Sequence, residues 1–156
     1  MFQKTFFLQG LQLSLSEIFN QRDYDILLVV SQKNPLSGGF FIGVSMPIQL
    51  SFQSGLTTQT MQATFDGYPV TLKLKWNERF GFWSLGVFDR ESNPILAGIK
   101  LVQDFPLIGG FHLTQFGGEL LFLKVNGDKD RPDLESIGGD HILLYIEKDE
   151  VSELIS

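Results

Sequence analysis

The sequence contains no cysteine, which excludes disulfides, thiol catalysis and thiolate metal sites. It also has no run near the ~20 apolar residues that span a bilayer, and polar residues interrupt its N-terminus too often for a secretory signal. The 12 Lys and Arg residues are scattered over a chain of formal net charge -6, so binding to phosphates of nucleic acids or anionic lipids is not expected. These absences predict a soluble protein made inside a cell.

Motifs of the common enzyme classes are missing as well. There is no GxSxG, HExxH or GxxxxGK[ST] pattern. The two histidines, His112 and His141, have no acidic or hydroxyl partner at a recognisable spacing, and we expect both at a surface or interface. No helix is expected after the glycine pairs, which fit bends, bulges or close backbone contacts better than phosphate cradles. The sequence therefore predicts neither catalysis nor a cofactor.

What is present favours β-structure. The 156 residues are 43% hydrophobic and only 19% charged, with 15 Phe and 16 Gly. Aromatic side chains pack well on a pleated, half-buried surface. The same composition also suits a surface that is covered by partners, because interface cores are poor in charge and rich in aromatics. A chain of this length fits one domain, or one domain with an arm.

The clearest periodicity lies in the middle of the chain. Apolar residues alternate with polar ones over residues 70–76 and again over residues 83–87, and a glycine-bearing loop, residues 77–81, separates them. This pattern predicts a β-hairpin. Trp76 and Trp83 fall on the apolar phase of its strands, which favours core packing over stacking on a sugar ring.

Further short strands are predicted along the rest of the chain. They cover residues 11–15, 26–30, 48–52, 61–65, 95–102, 119–125 and 142–146. Asp66-Gly67 and residues 89–94 read as turns, and residues 16–19 as a single helical turn. Strands this short with frequent turn signals predict an all-β fold, either a small antiparallel β-barrel or a β-sandwich.

The expected organisation has three parts. Residues 1–45 form an N-terminal strand-rich extension or arm, which could also pack on the main body, and the glycine-bearing loop 33–39 is its best boundary. Residues 46–147 form the β domain. Residues 148–156 form an acidic C-terminal tail.

One loop suggests a metal ion. Asp128, Asp130 and Asp133 alternate along it, and hard oxygen ligands in that arrangement could hold calcium. Lys129 and Arg131 lie between these carboxylates and argue against a cation. We therefore favour a solvated loop whose charges pair locally or face a partner, and calcium binding stays open.

An ordered series of short motifs over residues 46–147 resembles the small baseplate plug proteins of contractile-tailed bacteriophages. The series opens at Pro47-Ile48-Gln49-Leu50, continues through the hairpin, and ends at Gly117-Gly118-Glu119-Leu120, Asp130-Arg131-Pro132 and Leu144-Tyr145. The structural motif residues that carry the likeness are Trp76, Asn77, Gly81, Trp83, Asp89, Pro94, Gly98, Gly117, Gly118 and Tyr145.

The resemblance implies a structural, non-catalytic virion component, made in the host cytoplasm and located in the tail baseplate near the hub. Its implied partners are hub, tail-tube and tape-measure proteins, and several copies would form a symmetric ring that plugs or organises the distal end of the tail. Nucleic acid and membranes are not among the implied partners. The alternative from the residues alone is a carbohydrate- or ligand-binding β-sandwich module.

Overall fold

The computed structural model describes the backbone of four strands within residues 3–45, and both backbone and side chains of residues 47–149. The strands are β1 Gln3–Leu8, β2 Leu11–Phe19, β3 Tyr24–Lys33, β4 Phe40–Ser45, β5 Ile48–Leu50, β6 Thr58–Phe65, β7 Tyr68–Asn77, β8 Phe82–Phe88, β9 Pro94–Lys100, β10 Glu119–Lys124 and β11 His141–Ile146. A short 3-10 turn, Gly109–Phe111, lies between β9 and β10.

The strands form three antiparallel sheets. The first has the order β1-β2-β3-β4, the second β10-β11-β5, and the third β6-β7-β8-β9. The predicted all-β fold is confirmed. No helix in the described part of the chain is long and apolar enough to cross a membrane.

The helical turn predicted at residues 16–19 is wrong. These residues are the end of β2, where Ser16 pairs with Leu27 and Phe19 with Tyr24 of β3. A single helical turn fixes several backbone dihedrals for one hydrogen bond, whereas the ladder provides partners for the whole segment. The strands predicted at residues 11–15 and 26–30 are confirmed within β2 and β3.

The second and third sheets pack face to face over one apolar core and do not close into a barrel, so the sandwich alternative is the one observed. Residues from both sheets belong to a single buried cluster, among them Leu72 and Trp83 from the third sheet and Phe122 and Tyr145 from the second. Burial of apolar surface, which contributes about 25 cal/mol per Å², is the main stabilisation of the contact between the two sheets.

The two sheets of the sandwich differ in burial. In β7, buried Val70, Leu72 and Leu74 alternate with Thr71, Lys73 and Lys75, which are partly or fully exposed. In contrast, every residue of β11 and all of β10 except Lys124 are buried. Residues 119–123 of β10 are therefore buried on both faces of the sheet.

The turns follow the predicted signals. Asp66 and Gly67 both have positive φ angles, 52° and 79°, and they join β6 to β7 as a two-residue hairpin. Gly98 has a φ of 70° within β9, where the pairing with β8 shifts register. Residues 34–39 of the predicted boundary loop and residues 150–156 of the predicted tail lie outside the described residues.

Candidate assembly surface

The two tryptophans meet across the central hairpin. Trp76 of β7 pairs directly with Trp83 of β8, and their ring centroids are 5.2 Å apart. Trp83 is fully buried and donates a hydrogen bond from Nε1 to the carbonyl oxygen of Asp133, at 3.1 Å. The core role predicted for Trp83 matches its burial. A ring without an exposed face cannot stack on a sugar, so Trp83 does not support the carbohydrate-binding alternative.

The hairpin loop is built around Asn77. Its side-chain Oδ1 accepts a hydrogen bond from the backbone N–H of Phe80, and its carbonyl oxygen accepts one from Gly81 N–H. Gly81 has a φ of 67°, a conformation that suits glycine. The loop holds the Phe80 side chain outward with 68% of its surface exposed. Asn77 and Gly81 thus fix the position of an aromatic side chain in solvent.

A second centre forms where Asp66, Tyr145 and the glycine pair meet. Asp66 Oδ2 accepts hydrogen bonds from the N–H groups of Gly117 and Gly118 and from the Tyr145 hydroxyl, at 2.9, 3.2 and 2.9 Å. Its Oδ1 accepts one from Lys148 N–H at 2.7 Å. One carboxylate therefore ties the β6–β7 turn to the end of β11 and to the segment that leads into β10.

Tyr145 is held tightly at this centre. Its ring stacks on Phe65 with centroids 3.8 Å apart, and burial raises the pKa of its hydroxyl, with the hydrogen bond to Asp66 adding to the effect. Gly118 lies so close that an added Cβ would meet the Tyr145 hydroxyl and the carbonyl oxygen of Ile146. The close backbone contact predicted as one reading of the glycine pairs is observed at Gly118.

A third centre surrounds Glu119, whose side chain is only 3% exposed. Its carboxylate accepts hydrogen bonds from the backbone N–H groups of Leu107, Ile108, Gly109 and Leu120, at distances from 2.8 to 3.0 Å. Such a set of donors compensates a buried carboxylate for the loss of water. Glu119 therefore fixes the backbone of residues 107–109, which lie between the exposed side chains of Phe105 and Phe111.

The aspartate-rich loop before β11 makes local contacts. Asp133 lies 2.6 Å from Lys129 Nζ and accepts hydrogen bonds from the backbone of Glu135 and Ser136. The bond from Lys129 lowers the pKa of Asp133, and the same bond raises the pKa of Lys129. Among residues 47–149 no three His, Asp or Glu side chains converge as a metal site would require. Asp133 therefore pairs locally with Lys129, as the favoured interpretation of this loop predicts.

The histidines have different environments. His112 is exposed, as predicted, in a left-handed conformation with a φ of 51°. The surface or interface position predicted for His141 is wrong, because this residue is fully buried. Its ring stacks on Phe122 with centroids 5.5 Å apart, and its Nε2 lies 3.0 Å from Gln103 Oε1. Packing in the sandwich outweighed the polarity of the imidazole.

Large apolar side chains are exposed on the loops of the sandwich. Phe80, Phe105 and Phe111 expose 68%, 61% and 56% of their surface. Phe80 belongs to the hairpin loop, whereas Phe105 and Phe111 flank the segment bound by Glu119. We call these three side chains the aromatic tips. Ordered loops with exposed phenylalanines are suited to insertion into a partner, because interface cores favour aromatic residues.

The ten motif residues fall into four places. Trp76, Trp83, Asn77 and Gly81 belong to the hairpin and its loop. Gly117, Gly118 and Tyr145 meet at Asp66.

Asp89 and Pro94 frame the next turn, where Asn93 donates hydrogen bonds to the Asp89 carboxylate. These bonds lower the pKa of Asp89, the one from the Asn93 side chain most of all. Gly98 lies apart, in β9.

Sequence reasoning missed the two carboxylates at the polar centres. The sequence pattern identifies Asp66 only as part of a turn, and Glu119 as the first residue of a predicted strand and part of the Gly117-Gly118-Glu119-Leu120 motif. For Glu119 a signal existed, because a carboxylate that opens a strand buried on both faces must find internal donors. For Asp66 the partners are 51 to 82 residues away, and no local pattern indicates them.

The fold and its polar centres define a β-sandwich in which one buried carboxylate, Glu119, holds a segment flanked by exposed aromatic side chains. A family model described as cyanophage baseplate Pam3 plug gp18 matches residues 48–149. The chain therefore belongs to this family of phage baseplate plug proteins, and the predicted resemblance is confirmed. Comparison with curated proteins gives no match.

Family membership supports a structural role in the baseplate of a phage tail, in contact with other baseplate proteins. It suggests a non-enzymatic protein. The all-β sandwich is one of the two folds that the strand and turn pattern of the sequence predicts.

Proposed function

We propose that the chain is a plug subunit near the hub of the baseplate, where several copies form a symmetric ring at the distal end of a contractile tail. The ring contacts hub, tail-tube and tape-measure proteins and closes or organises that end. Residues 1–45 serve as an arm that reaches a neighbouring subunit. The family match over residues 48–149 is the observation on which the proposal rests.

The aromatic tips supply the physical means of attachment. Each exposes more than half of a phenylalanine, and two of the three lie beside a segment fixed by a buried carboxylate. A preorganised apolar side chain loses little conformational entropy when it enters a pocket of a partner. Large aromatic anchors in such pockets carry much of the affinity of protein interfaces.

Purified tails test the proposal directly. We expect the chain to be present in tails by mass spectrometry and to copurify with hub, tube or tape-measure proteins. Phe80→Ser and Phe111→Ser should reduce incorporation into tails while the free energy of unfolding changes by less than about 0.5 kcal/mol, because both side chains are exposed.

Leu56→Ser is the matched control, since Leu56 is 46% exposed but lies outside the aromatic tips. This variant should enter tails like the wild type. Absence of the chain from purified tails would refute the baseplate position, and normal incorporation of both phenylalanine variants would refute the role of the tips.

A further inference from the structure

The two edges of the third sheet differ in their protection against pairing with another strand. The β9 edge begins with Pro94, contains Gly98 at a positive φ with a shift in register, and ends with Lys100. Proline, bulges and lysine are the devices by which proteins block edge strands. Strand β6 has none of them: its eight residues, Thr58–Phe65, include no charge, proline or glycine.

Part of the β6 backbone is also directed away from its partner β7. Trp76 N–H donates to the carbonyl oxygen of Thr57 at 2.7 Å, and the register places these two residues opposite each other. Hydrogen-bonded and non-bonded pairs alternate along an antiparallel ladder. Therefore Thr60, Gln62 and Thr64 direct their N–H and C=O groups away from β7.

No other described strand pairs with this outer side of β6. At its start, the Gln59 side chain is hydrogen bonded to the backbone of Gln53. From Thr60 onward, the side chains of Thr60, Gln62 and Thr64 are exposed. Met61 and Ala63 lie on the opposite face of β6, toward the core. They are only partly buried although they pack against it.

We infer that β6 pairs with β6 of a second copy, antiparallel about a two-fold axis at Met61. In this register Thr60 lies opposite Gln62 of the other copy, and Thr58 opposite Thr64. Residues with outward-directed backbone groups then face one another, as hydrogen-bonded pairs require. Exposed residues meet exposed residues, and half-buried residues meet half-buried ones.

A second copy fits this edge because the strand is self-complementary. Like charges placed opposite each other destabilise a sheet, and β6 has no charge that could repel its symmetry mate. Threonine is enriched in strands and forms favourable cross-strand pairs. The pairing would also cover the exposed parts of Met61 and Ala63, so that the core extends across the axis.

This contact differs from those around the proposed ring. A two-fold contact is isologous and joins copies in facing pairs, whereas a ring uses a contact between two different surfaces. The inference concerns the isolated chain and does not rest on the proposed function. A monomeric chain could still bind tail proteins.

The test uses the full chain and compares two double variants. Thr60→Lys with Gln62→Lys places lysine opposite lysine on both sides of the axis. Thr60→Lys with Gln62→Glu places lysine opposite glutamate at the same positions. By analytical ultracentrifugation over a range of concentrations, we expect the wild type to dimerise, the first variant to raise the dimer Kd by about tenfold or more, and the second to stay near the wild-type Kd.

Ala97→Lys, on the exposed side of the protected β9 edge, is the control and should leave the Kd unchanged. Amide hydrogen exchange of the wild type adds a readout that needs no substitution: protection of Thr60, Gln62 and Thr64 should rise with concentration. A wild-type chain that stays monomeric would overturn the inference. So would self-association that the two lysines do not weaken, or exchange at these three amides that does not depend on concentration.

Discussion

The two sheets of the sandwich each have a hydrogen-bonded carboxylate, Asp89 and Glu119, and these two differ in their exposure to water. In the third sheet one face of β7 remains in water, and its turn carboxylate Asp89 is partly exposed beside Asn93. In the second sheet β10 and β11 are buried almost throughout, and Glu119 has only backbone donors around it. Both carboxylates accept backbone hydrogen bonds, yet only one of them is cut off from water.

This difference separates two ways of fixing a loop. A buried carboxylate that is fully bonded holds its segment strongly, because any loss of a partner leaves a group without water. An exposed carboxylate competes with water for the same bonds and contributes little net free energy. The loop next to Glu119 should therefore be rigid, whereas the Asp89 turn should tolerate substitution.

The largest effect is expected at the core that both sheets share. Trp83→Ala removes a fully buried indole, and the cavity should lower the free energy of unfolding by about 3–5 kcal/mol in urea titrations. Trp83→Phe is the comparison, because it keeps most of the apolar volume and loses the bond from Nε1 to Asp133. A Trp83→Ala chain as stable as the wild type would contradict the packing role of this residue.

Glu119→Gln tests the buried carboxylate next. The glutamine keeps the size of the side chain, but its NH₂ group faces backbone N–H donors that need an acceptor. We expect a loss of roughly 3 kcal/mol in the free energy of unfolding. Hydrogen exchange should accelerate at Leu107 to Gly109 more than in β7. Unchanged exchange there would show that Glu119 does not hold the segment.

Much of the fold could be predicted from the sequence because alternation is a local property. The hairpin of β7 and β8 follows from the spacing of apolar residues, and β10 lies within the strand predicted at residues 119–125. The helical turn predicted at residues 16–19 is wrong because a four-residue segment does not show the strand with which it pairs. The pairing with β3 that decides the outcome lies outside that window.

The polar centres could be predicted only in part. Gly118 is one of the motif residues, but the reason for a glycine there is its contact with Tyr145 and Ile146, residues more than 25 positions away. The aromatic tips could also be predicted only in part. Phe65 ends a predicted alternating strand and Phe80 lies in a predicted loop, but the loop pattern does not indicate how far the Phe80 side chain is exposed.

Gly118→Ala should have a smaller effect than Glu119→Gln. The new Cβ would meet the Ile146 carbonyl oxygen and the Tyr145 hydroxyl, so the strands must move apart and the free energy of unfolding should fall by about 2 kcal/mol. Gly110→Ala is the control, because nothing lies within 4 Å of a Cβ at that position. Equal melting temperatures of the two variants would refute the close-contact explanation.

The smallest effect is expected at Asp89, and it should depend on pH. Hydrogen bonds from the Asn93 side chain and backbone lower the pKa of Asp89 in the folded chain below the ordinary value of 3.8. A lowered folded pKa means that the stabilising contribution is present above that ordinary value and is lost as the pH falls through the folded pKa. Asp89→Ala and Asn93→Ala should therefore each lower the melting temperature slightly at neutral pH.

The double variant then decides whether the two residues act together. At neutral pH it should be no less stable than Asp89→Ala alone, because Asp89→Ala already removes the bond from Asn93 Nδ2 to Asp89 Oδ2, the one bond that Asn93→Ala removes. At a pH below the folded pKa of Asp89 the coupling between the two positions should shrink, since the protonated carboxyl is a weaker acceptor. Coupling that is as large in acid as at neutral pH would mean that the turn is held by its backbone geometry and that the charge of Asp89 is irrelevant, and the contrast with Glu119 would then rest on burial alone.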